Sequence, residues 1–339
     1  MKRRDFIAGL GAAATCTLLW PLGARAQQAA KIKRIAIVHP NIDVGDLSIT
    51  SEHLGYRTLF EELRRRGYSE GHNFVVERYS AAGQTDRYAD LARDVVRTNP
   101  DLILAIANPV VLGFKQATTK IPLVAVAGNM VASGIVPSLA QPGGNITGIS
   151  TDVGGNEIWG KRLGLLLEAA PKSSNARFLT LRASWERVQS EALRKEASQL
   201  GISLEGALLD GAIDESQIRR VFTAMERDRV DALMVIDDAG LFPHRQLIVE
   251  LAAKSRIPAI YAHRIFVEPG GLMTYSFDLA EMYRHAAGQI DGILRGEKPG
   301  DIPVFQAARY ELTINLKTAK ALGLEIPATL LARADEVIE

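Results

Sequence analysis

The segment Asp101–Asn129 reads DLILAIANPVVLGFKQATTKIPLVAVAGN and shows the fold class most clearly. It contains two apolar runs, Leu102–Ile106 and Pro122–Val126, which we predict to be buried strands. The residues near Val110 to Thr118, between these runs, have a helical pattern. Continuously apolar strands joined by helices are typical of a parallel sheet covered on both faces. This segment therefore predicts a strand–helix–strand unit of an α/β protein.

The same alternation continues on both sides of this segment. Upstream, strands are predicted at Ile35–Val38 and Phe74–Val76. The pattern breaks at the Pro/Gly-rich sequence Gln141–Asn145 and then restarts. Beyond the break, strands are predicted at Phe178–Leu181, Leu204–Leu209, Ala232–Ile236 and Pro258–Tyr261, with helices near 156–169, 185–200, 214–227 and 243–254. Two successive sets of strands and helices predict two similar α/β lobes rather than one long sheet.

The N-terminus has the order of an export signal. Lys2, Arg3 and Arg4 form a basic region, an uncharged apolar region runs from Phe6 to Trp20, and Ala24 to Ala26 form an A-x-A cleavage motif. We expect residues 1–26 to be a signal peptide that is cleaved near Ala26. The paired arginines indicate the twin-arginine route, and the Sec route is the alternative. The Gly9–Ala14 segment has the spacing of a dinucleotide-binding turn but lacks a preceding strand.

Charge and cysteine content exclude several classes of protein. The chain has 40 basic and 39 acidic residues, and loss of the signal would leave a net charge of about −2. This balance gives no electrostatic footprint for nucleic acid, so we expect no nucleic-acid partner. Cys16 is the only cysteine and lies within the predicted signal, so the mature chain has no thiol chemistry.

The sequence lacks the motifs of common enzymes. There is no G-x-S-x-G, no H-E-x-x-H and no phosphate-binding G-x-x-x-x-G-K-[ST]. Asp237 and Asp238 with His244 form the best candidate for a metal or acid–base cluster, but neighbouring strand residues point to opposite faces. His39 and His263 end predicted strands without acids at metal-ligand spacing. We expect no enzymatic activity, no cofactor and no metal.

Polar and aromatic residues cluster at the carboxyl ends of the predicted strands, where open parallel sheets bind ligands. Our predicted binding residues are Asn41, Asn108, Gly128, Asn129, Trp185, Asp237, Asp238, Tyr261 and Tyr275. We expect Asn108, Gly128 and Asn129 to hold an anionic or polar end of the ligand at helix N-termini. The rings of Trp185, Tyr261 and Tyr275 are expected to face an apolar or aromatic part.

Four stretches of the sequence resemble one family. They are Leu63–Asn73 (LRRRGYSEGHN), Leu139–Gly148 (LAQPGGNITG), Gly270–Tyr275 (GGLMTY) and Ile314–Gly323 (INLKTAKALG). In this order they resemble the substrate-binding proteins of ABC transporters of the tryptophan/tyrosine type, and the resemblance covers nearly the whole mature chain.

The resemblance implies a type I periplasmic-binding fold. In this α/β fold, two Rossmann-like lobes with parallel sheets are joined by a three-segment hinge, with the ligand cleft between the lobes. It implies that lobe one consists of residues 31–148 and 277–305, and lobe two of residues 149–276 and 306–339. The resemblance further implies that an acid after the strand Ala232–Ile236 meets the amine of the ligand, as it tends to do in members of this family. Asp238 fits that position, although the adjacent Asp237 leaves open which carboxylate faces the cleft.

The resemblance also implies a function. We expect a monomeric periplasmic protein that binds a small solute, with an amino acid or aromatic compound favoured, and delivers it to an inner-membrane permease. A ligand-presenting sensor protein is one alternative, and a secreted α/β hydrolase is another. The identity of the ligand stays open.

Overall fold

The computed structural model describes most of the 339-residue chain. The described residues are 32–51, 53–151, 155–185, 189–211, 213–236 and 238–339. The predicted signal peptide with Cys16, and Asp237, lie outside them. Residues Ile32–Glu339 form one compact unit. Within the described ranges, no helix is both long enough and apolar enough to cross a membrane.

The strands are short and mostly apolar, as the sequence predicts. In chain order they are β1 (Lys33–His39), β2 (Phe74–Ser80), β3 (Leu102–Ile106), β4 (Leu123–Ala127), β5 (Ile146–Ser150), β6 (Asn175–Leu181), β7 (Ser203–Leu209), β8 (Ala232–Val235), β9 (Ala259–Tyr261), β10 (Met273–Phe277), β11 (Phe305–Gln306), β12 (Tyr310–Asn315) and β13 (Glu336–Ile338).

Helices follow most of these strands. They are α1 (Leu54–Arg65), α2 (Tyr88–Thr98), α3 (Asn108–Ala117), α4 (Gly155–Ala169), α5 (Arg182–Trp185), α6 (Gln189–Gln199), α7 (Glu215–Arg227), α8 (Arg245–Lys254), α9 (Leu279–Leu294), α10 (Leu316–Leu322) and α11 (Ala328–Leu331). Side-chain caps set several of the helix starts: Asp214, Asp278 and Asn315 each accept a hydrogen bond from the backbone N–H three residues later.

The strands form two sheets. The first has the order β11-β5-β4-β3-β1-β2 and is parallel throughout. The second has the order β13-β12-β10-β9-β8-β6-β7 and is parallel except where β12 runs antiparallel to β10. We call the first sheet and its covering helices lobe one, and the second sheet and its helices lobe two. The predicted two-lobed α/β fold is therefore confirmed.

Each sheet is covered by apolar residues on both faces. In β1, Ile35 and Ile37 lie in one hydrophobic cluster with α1 and α9, whereas Ala36 and Val38 lie in the opposite cluster with α2 and α3. Lobe two likewise has a separate cluster on each face of its sheet. Burial on both faces explains why the strands read as continuous apolar runs rather than as alternating patterns.

Helix α9 follows a lobe-two strand but packs on lobe one. Phe277, at the end of β10, already belongs to the cluster beneath α1 and α9. On α9, the Gln289 amide donates a hydrogen bond of 3.0 Å to the carbonyl of Gly148. The Tyr68 hydroxyl donates a hydrogen bond of 2.9 Å to the Asp291 carboxylate. The chain then adds β11 to lobe one before β12 returns to lobe two, and this third crossing reverses the direction of β12.

Gly148 lies where two strands of lobe one approach very closely. Its φ angle is +149°, and a Cβ atom at this position would lie 1.9 Å from the carbonyl oxygen of Ala125 on β4. Only glycine fits both this backbone angle and this distance.

Candidate functional site

The candidate site is the cleft between the carboxyl ends of the strands in the two lobes. Phe277 crosses from β10 into the lobe-one core, and its ring centroid lies 5.9 Å from that of His263 in lobe two. Asp238 of lobe two acts electrostatically on Tyr88 of lobe one, and His263 acts on His39. The two polar edges therefore face each other, as the ends of parallel strands do in a ligand-binding cleft.

The side chain of Asn108 forms hydrogen bonds that link the end of β3 to the end of β4. Its Oδ1 atom accepts a hydrogen bond of 2.7 Å from the Gly128 N–H, and its Nδ2 atom donates to the Gly128 carbonyl at 2.8 Å. Nδ2 also donates to the Ser133 hydroxyl at 2.6 Å. The side chain of Asn108 and the peptide groups of Gly128 are thus engaged within lobe one, which gives both residues a role in shaping this edge.

The residue before Asn108 has a strained backbone. Ala107 has φ 75° and ψ 143°, a region that residues other than glycine rarely occupy. Such strain costs about 1–3 kcal/mol and concentrates at functional sites. The strained turn allows the chain to pass directly from β3 into α3, so the N-terminus of α3 lies at the cleft edge.

Asn129 and Asn41 shape the loops that follow β4 and β1. Asn129 has a left-handed φ of 30°, and its Oδ1 atom accepts a hydrogen bond of 3.0 Å from the Ala132 N–H. The backbone N–H of Asn41 donates to Nδ1 of His39 at 3.2 Å. Both residues lie at the predicted edge, and these contacts form local turns within lobe one.

Two of the predicted aromatic contacts need correction. Trp185 is 7% exposed and packs on the lobe-two sheet, between Phe178 and the guanidinium of Arg194. Tyr261 is 1% exposed and stacks on Phe266 with a ring separation of 5.0 Å. Because both rings are buried in the core of lobe two, neither offers its face to the cleft.

Tyr275 remains half-buried near the second crossing between the lobes. Its ring stacks on that of Tyr310 at 5.3 Å, which joins β10 to the beginning of β12. The Tyr275 carbonyl accepts a hydrogen bond of 2.9 Å from the buried Arg162. The ring pair therefore lies beside the hinge segments.

Asp238 faces lobe one from the end of β8. Its Oδ1 atom accepts a hydrogen bond of 2.8 Å from the Gly240 N–H, so the carboxylate also caps the short 3-10 helix Ala239–His244. Burial, followed by the negative charge of Asp238, raises the pKa of Tyr88 at the start of α2. Asp238 is therefore a cap whose negative charge also acts on a residue of the opposite lobe.

Three histidines meet at the junction of the lobes. His39 is the last residue of β1, His53 precedes α1, and His263 follows β9. Burial, followed by the nearby His53 and His263, holds the pKa of His39 well below its usual value. Burial also lowers the pKa of His53 and of His263 to about 4 each. All three imidazoles are therefore neutral at physiological pH.

Comparison with known proteins gives the family of the chain. A family profile described as ABC transporter substrate binding protein matches residues 47–338. The chain belongs to this family. This substrate-binding protein is also 24% identical over 291 residues to a tyrosine-binding protein of Clostridioides difficile (strain R20291), an alignment that covers 85% of this chain and 79% of the relative.

Solved structures share the fold of this substrate-binding protein. A conserved domain protein from Vibrio cholerae O1 biovar El Tor is 25% identical, with a TM-score of 0.78, over 91% of this chain and all of the other. An ABC domain from Streptococcus pneumoniae in complex with L-Trp is 24% identical, with a TM-score of 0.77, over 90% of this chain and 99% of the other. The type I periplasmic-binding fold is confirmed.

The sequence of this substrate-binding protein did not predict that three histidines lie near one another at the site. His39 and His263 were visible as polar residues at strand ends, but nothing in the sequence brings His53 beside them. Among the described residues, no three His, Cys, Asp or Glu side chains are grouped so as to hold a metal ion. The neutral imidazoles are therefore best considered as hydrogen-bonding groups.

Proposed function

We propose that this substrate-binding protein is a non-enzymatic, periplasmic component of an ABC transporter. It binds an amino acid with an aromatic side chain between its lobes and delivers that amino acid to an inner-membrane permease. The family match supports the transport role. The tyrosine-binding relative and the L-Trp-bound structure support the class of ligand.

The position of Asp238 is the reason for proposing a ligand that has a cationic amine. The charge of this carboxylate acts on Tyr88 of lobe one, and we propose that a cationic amine is bound between the negative charge and the phenol, which belong to opposite lobes. A ligand that contacts both lobes favours the closed state, since those contacts exist only when the hinge has rotated. Ligand binding and closure are therefore coupled.

We expect Asp238→Asn to weaken binding of L-tyrosine or L-tryptophan. Asparagine is as good an N-cap as aspartate, so the hydrogen bond to Gly240 is retained and only the charge is lost. A charge-assisted hydrogen bond contributes about 1.5–3 kcal/mol, which corresponds to a loss of affinity of roughly 10- to 100-fold. Titration calorimetry against amino acids, aromatic acids and sugars measures this change.

Asp210→Asn is the matched control. Asp210 follows the edge strand β7, is exposed, and pairs with Arg182 on the surface of lobe two. This variant should bind the ligand with native affinity. Tight binding of a neutral sugar, or native affinity for the amine ligand in Asp238→Asn, would contradict the proposal.

The N-terminal sequence supports export to the periplasm. We expect replacement of Arg3 and Arg4 by lysine to trap the precursor in the cytoplasm, because the twin-arginine pathway requires both arginines. Cell fractionation followed by N-terminal sequencing should find a mature periplasmic protein that begins near Gln27 for the native chain. The lysine variant should give no such mature protein. Export of the variant at the native level would instead assign the signal to the Sec pathway.

A further inference from the structure

His39 and His263 each lie at the carboxyl end of a parallel strand, one in each lobe. His39 ends β1, which lies next to the edge strand β2 of the lobe-one sheet, and His263 follows β9, the central strand of the lobe-two sheet. They are 4% and 7% exposed, so each ring is more than nine-tenths buried. His263 of lobe two lies close enough to His39 of lobe one to contribute to lowering its pKa.

Backbone contacts fix the tautomer of both rings. Nδ1 of His39 accepts hydrogen bonds from the N–H groups of Asn41 at 3.2 Å and Ile42 at 2.9 Å. Nδ1 of His263 accepts one from the Ile265 N–H at 3.2 Å. A nitrogen that accepts a hydrogen bond carries no proton, so in a neutral imidazole the proton is on Nε2. Each lobe therefore presents one Nε2–H donor.

Neither Nε2–H donor is used within the part of the chain that the structure describes. The hydrogen bonds of both rings are those made by Nδ1. The neighbouring rings are Tyr56 for His39, and Phe242 and Phe277 for His263, at centroid distances between 4.8 and 6.1 Å. Neither Nε2 atom is a fully buried polar atom without a partner among the described residues, so each donor keeps contact with solvent and is open to an acceptor from another molecule.

The charge around the histidines favours an anionic acceptor. The buried Arg162 lies close enough to His263 for its positive charge to lower the pKa of that ring. Arg162 also donates hydrogen bonds to the carbonyls of Tyr275, in the middle of β10, and Ala262, directly after β9, and these bonds hold its guanidinium in place. A positive charge beside the Nε2–H donor of His263 favours a carboxylate over a neutral carbonyl as the acceptor.

We propose that the Nε2–H groups of His39 and His263 bind the carboxylate of the ligand, with one donor from each lobe. This inference rests on the proposed function and identifies the group of the amino acid that draws the lobes together. A carboxylate has two oxygens and can accept from both donors at once, which is possible only when the cleft is closed. The protein should therefore prefer an amino acid over the amine that lacks the carboxylate.

The test compares His39→Asn and His263→Asn with the native protein. The asparagine oxygen can replace Nδ1 as the acceptor of the backbone N–H groups, so the local turn is kept while the Nε2–H donor is lost. Titration calorimetry with L-tyrosine and tyramine, and with L-tryptophan and tryptamine, should show a 10- to 100-fold loss of affinity for the amino acids. Affinity for the two amines should remain at the native value.

Two further variants complete the experiment. His263→Gln places an amide N–H near the position of Nε2 and is expected to recover most of the lost affinity. His72→Asn replaces an exposed histidine at a turn of lobe one and should bind as the native protein does. Thermal unfolding of each variant measures any loss of folding.

The outcomes separate the two proposals. Native affinity for the amino acids in both asparagine variants, or equal weakening of amino acids and amines, would overturn the carboxylate assignment and leave the proposed function in place. Failure of the native protein to bind either amino acid would contradict the proposed ligand class as well.

Discussion

Gly148→Ala is expected to destabilise lobe one by about 4 kcal/mol, a loss at the upper end of the range for single substitutions. The added methyl group would lie 1.9 Å from the Ala125 carbonyl oxygen and 2.6 Å from its nitrogen. Both atoms belong to the backbone of β4, which is hydrogen-bonded on both sides within the sheet and cannot move away. The positive φ adds further strain. Urea unfolding of the purified variant measures the effect.

Gly164→Ala serves as the control for this substitution. Gly164 lies within α4, and a Cβ atom there would meet no other atom within 4 Å. Alanine in a helix interior is more favourable than glycine, so this variant should gain up to about 1 kcal/mol. Native stability of Gly148→Ala would show that the two strands tolerate a wider separation than the structure indicates.

Acidification from pH 7.5 to pH 5 is expected to lower the stability of the protein substantially. Burial lowers the pKa of His53 and of His263 to about 4, whereas both have the ordinary value of 6.5 in the unfolded chain. Between these values the unfolded state binds more protons, so stability is lost as the pH falls below 6.5 toward 4. The two groups together account for roughly 4 kcal/mol at pH 5, and His39 acts in the same direction.

Urea unfolding at pH 7.5, 6 and 5 tests this expectation. A double variant, His53→Gln with His263→Gln, should show a flatter dependence because glutamine does not titrate. Carboxylates whose pKa is lowered, such as Asp291 and Glu336, lose their contribution only at lower pH. Burial raises the pKa of Glu311, and this shift acts on stability in the direction opposite to that of the histidines. Equal stability of the native protein at pH 7.5 and pH 5 would contradict the interpretation.

The strands and helices could be predicted because their pattern is local. A run such as Leu102–Ile106 is buried on both faces whatever its neighbours are, so its apolar residues are visible in the sequence alone. The predicted helix near 185–200 is instead divided between α5 and α6. The antiparallel direction of β12 relative to β10 depends on where the chain crosses between the lobes. No local sequence pattern shows where this crossing occurs.

The candidate site was less predictable because the ends of strands do not determine where side chains point. Tyr261 is the last residue of β9, and strand alternation turns it toward the helices that cover lobe two, opposite to Ile260. Trp185 lies in the short α5 and contacts the sheet beside Gly206. The side-chain amide of Asn108 donates hydrogen bonds to Gly128 and Ser133, which are at least 20 residues further along the chain.

The return of α9 to lobe one constrains the order in which the protein can fold during synthesis. Lobe one is closed on one face by residues 279–294, which the ribosome makes only after most of lobe two. Lobe two in turn receives β12 and β13 from the last thirty residues or so of the chain. Neither lobe can be completed from a growing N-terminal fragment, in contrast to domains that are contiguous in sequence and fold one after the other as they emerge. Nascent chains shorter than about 300 residues should therefore expose the apolar surface of α1 and depend on chaperones until α9 has been made.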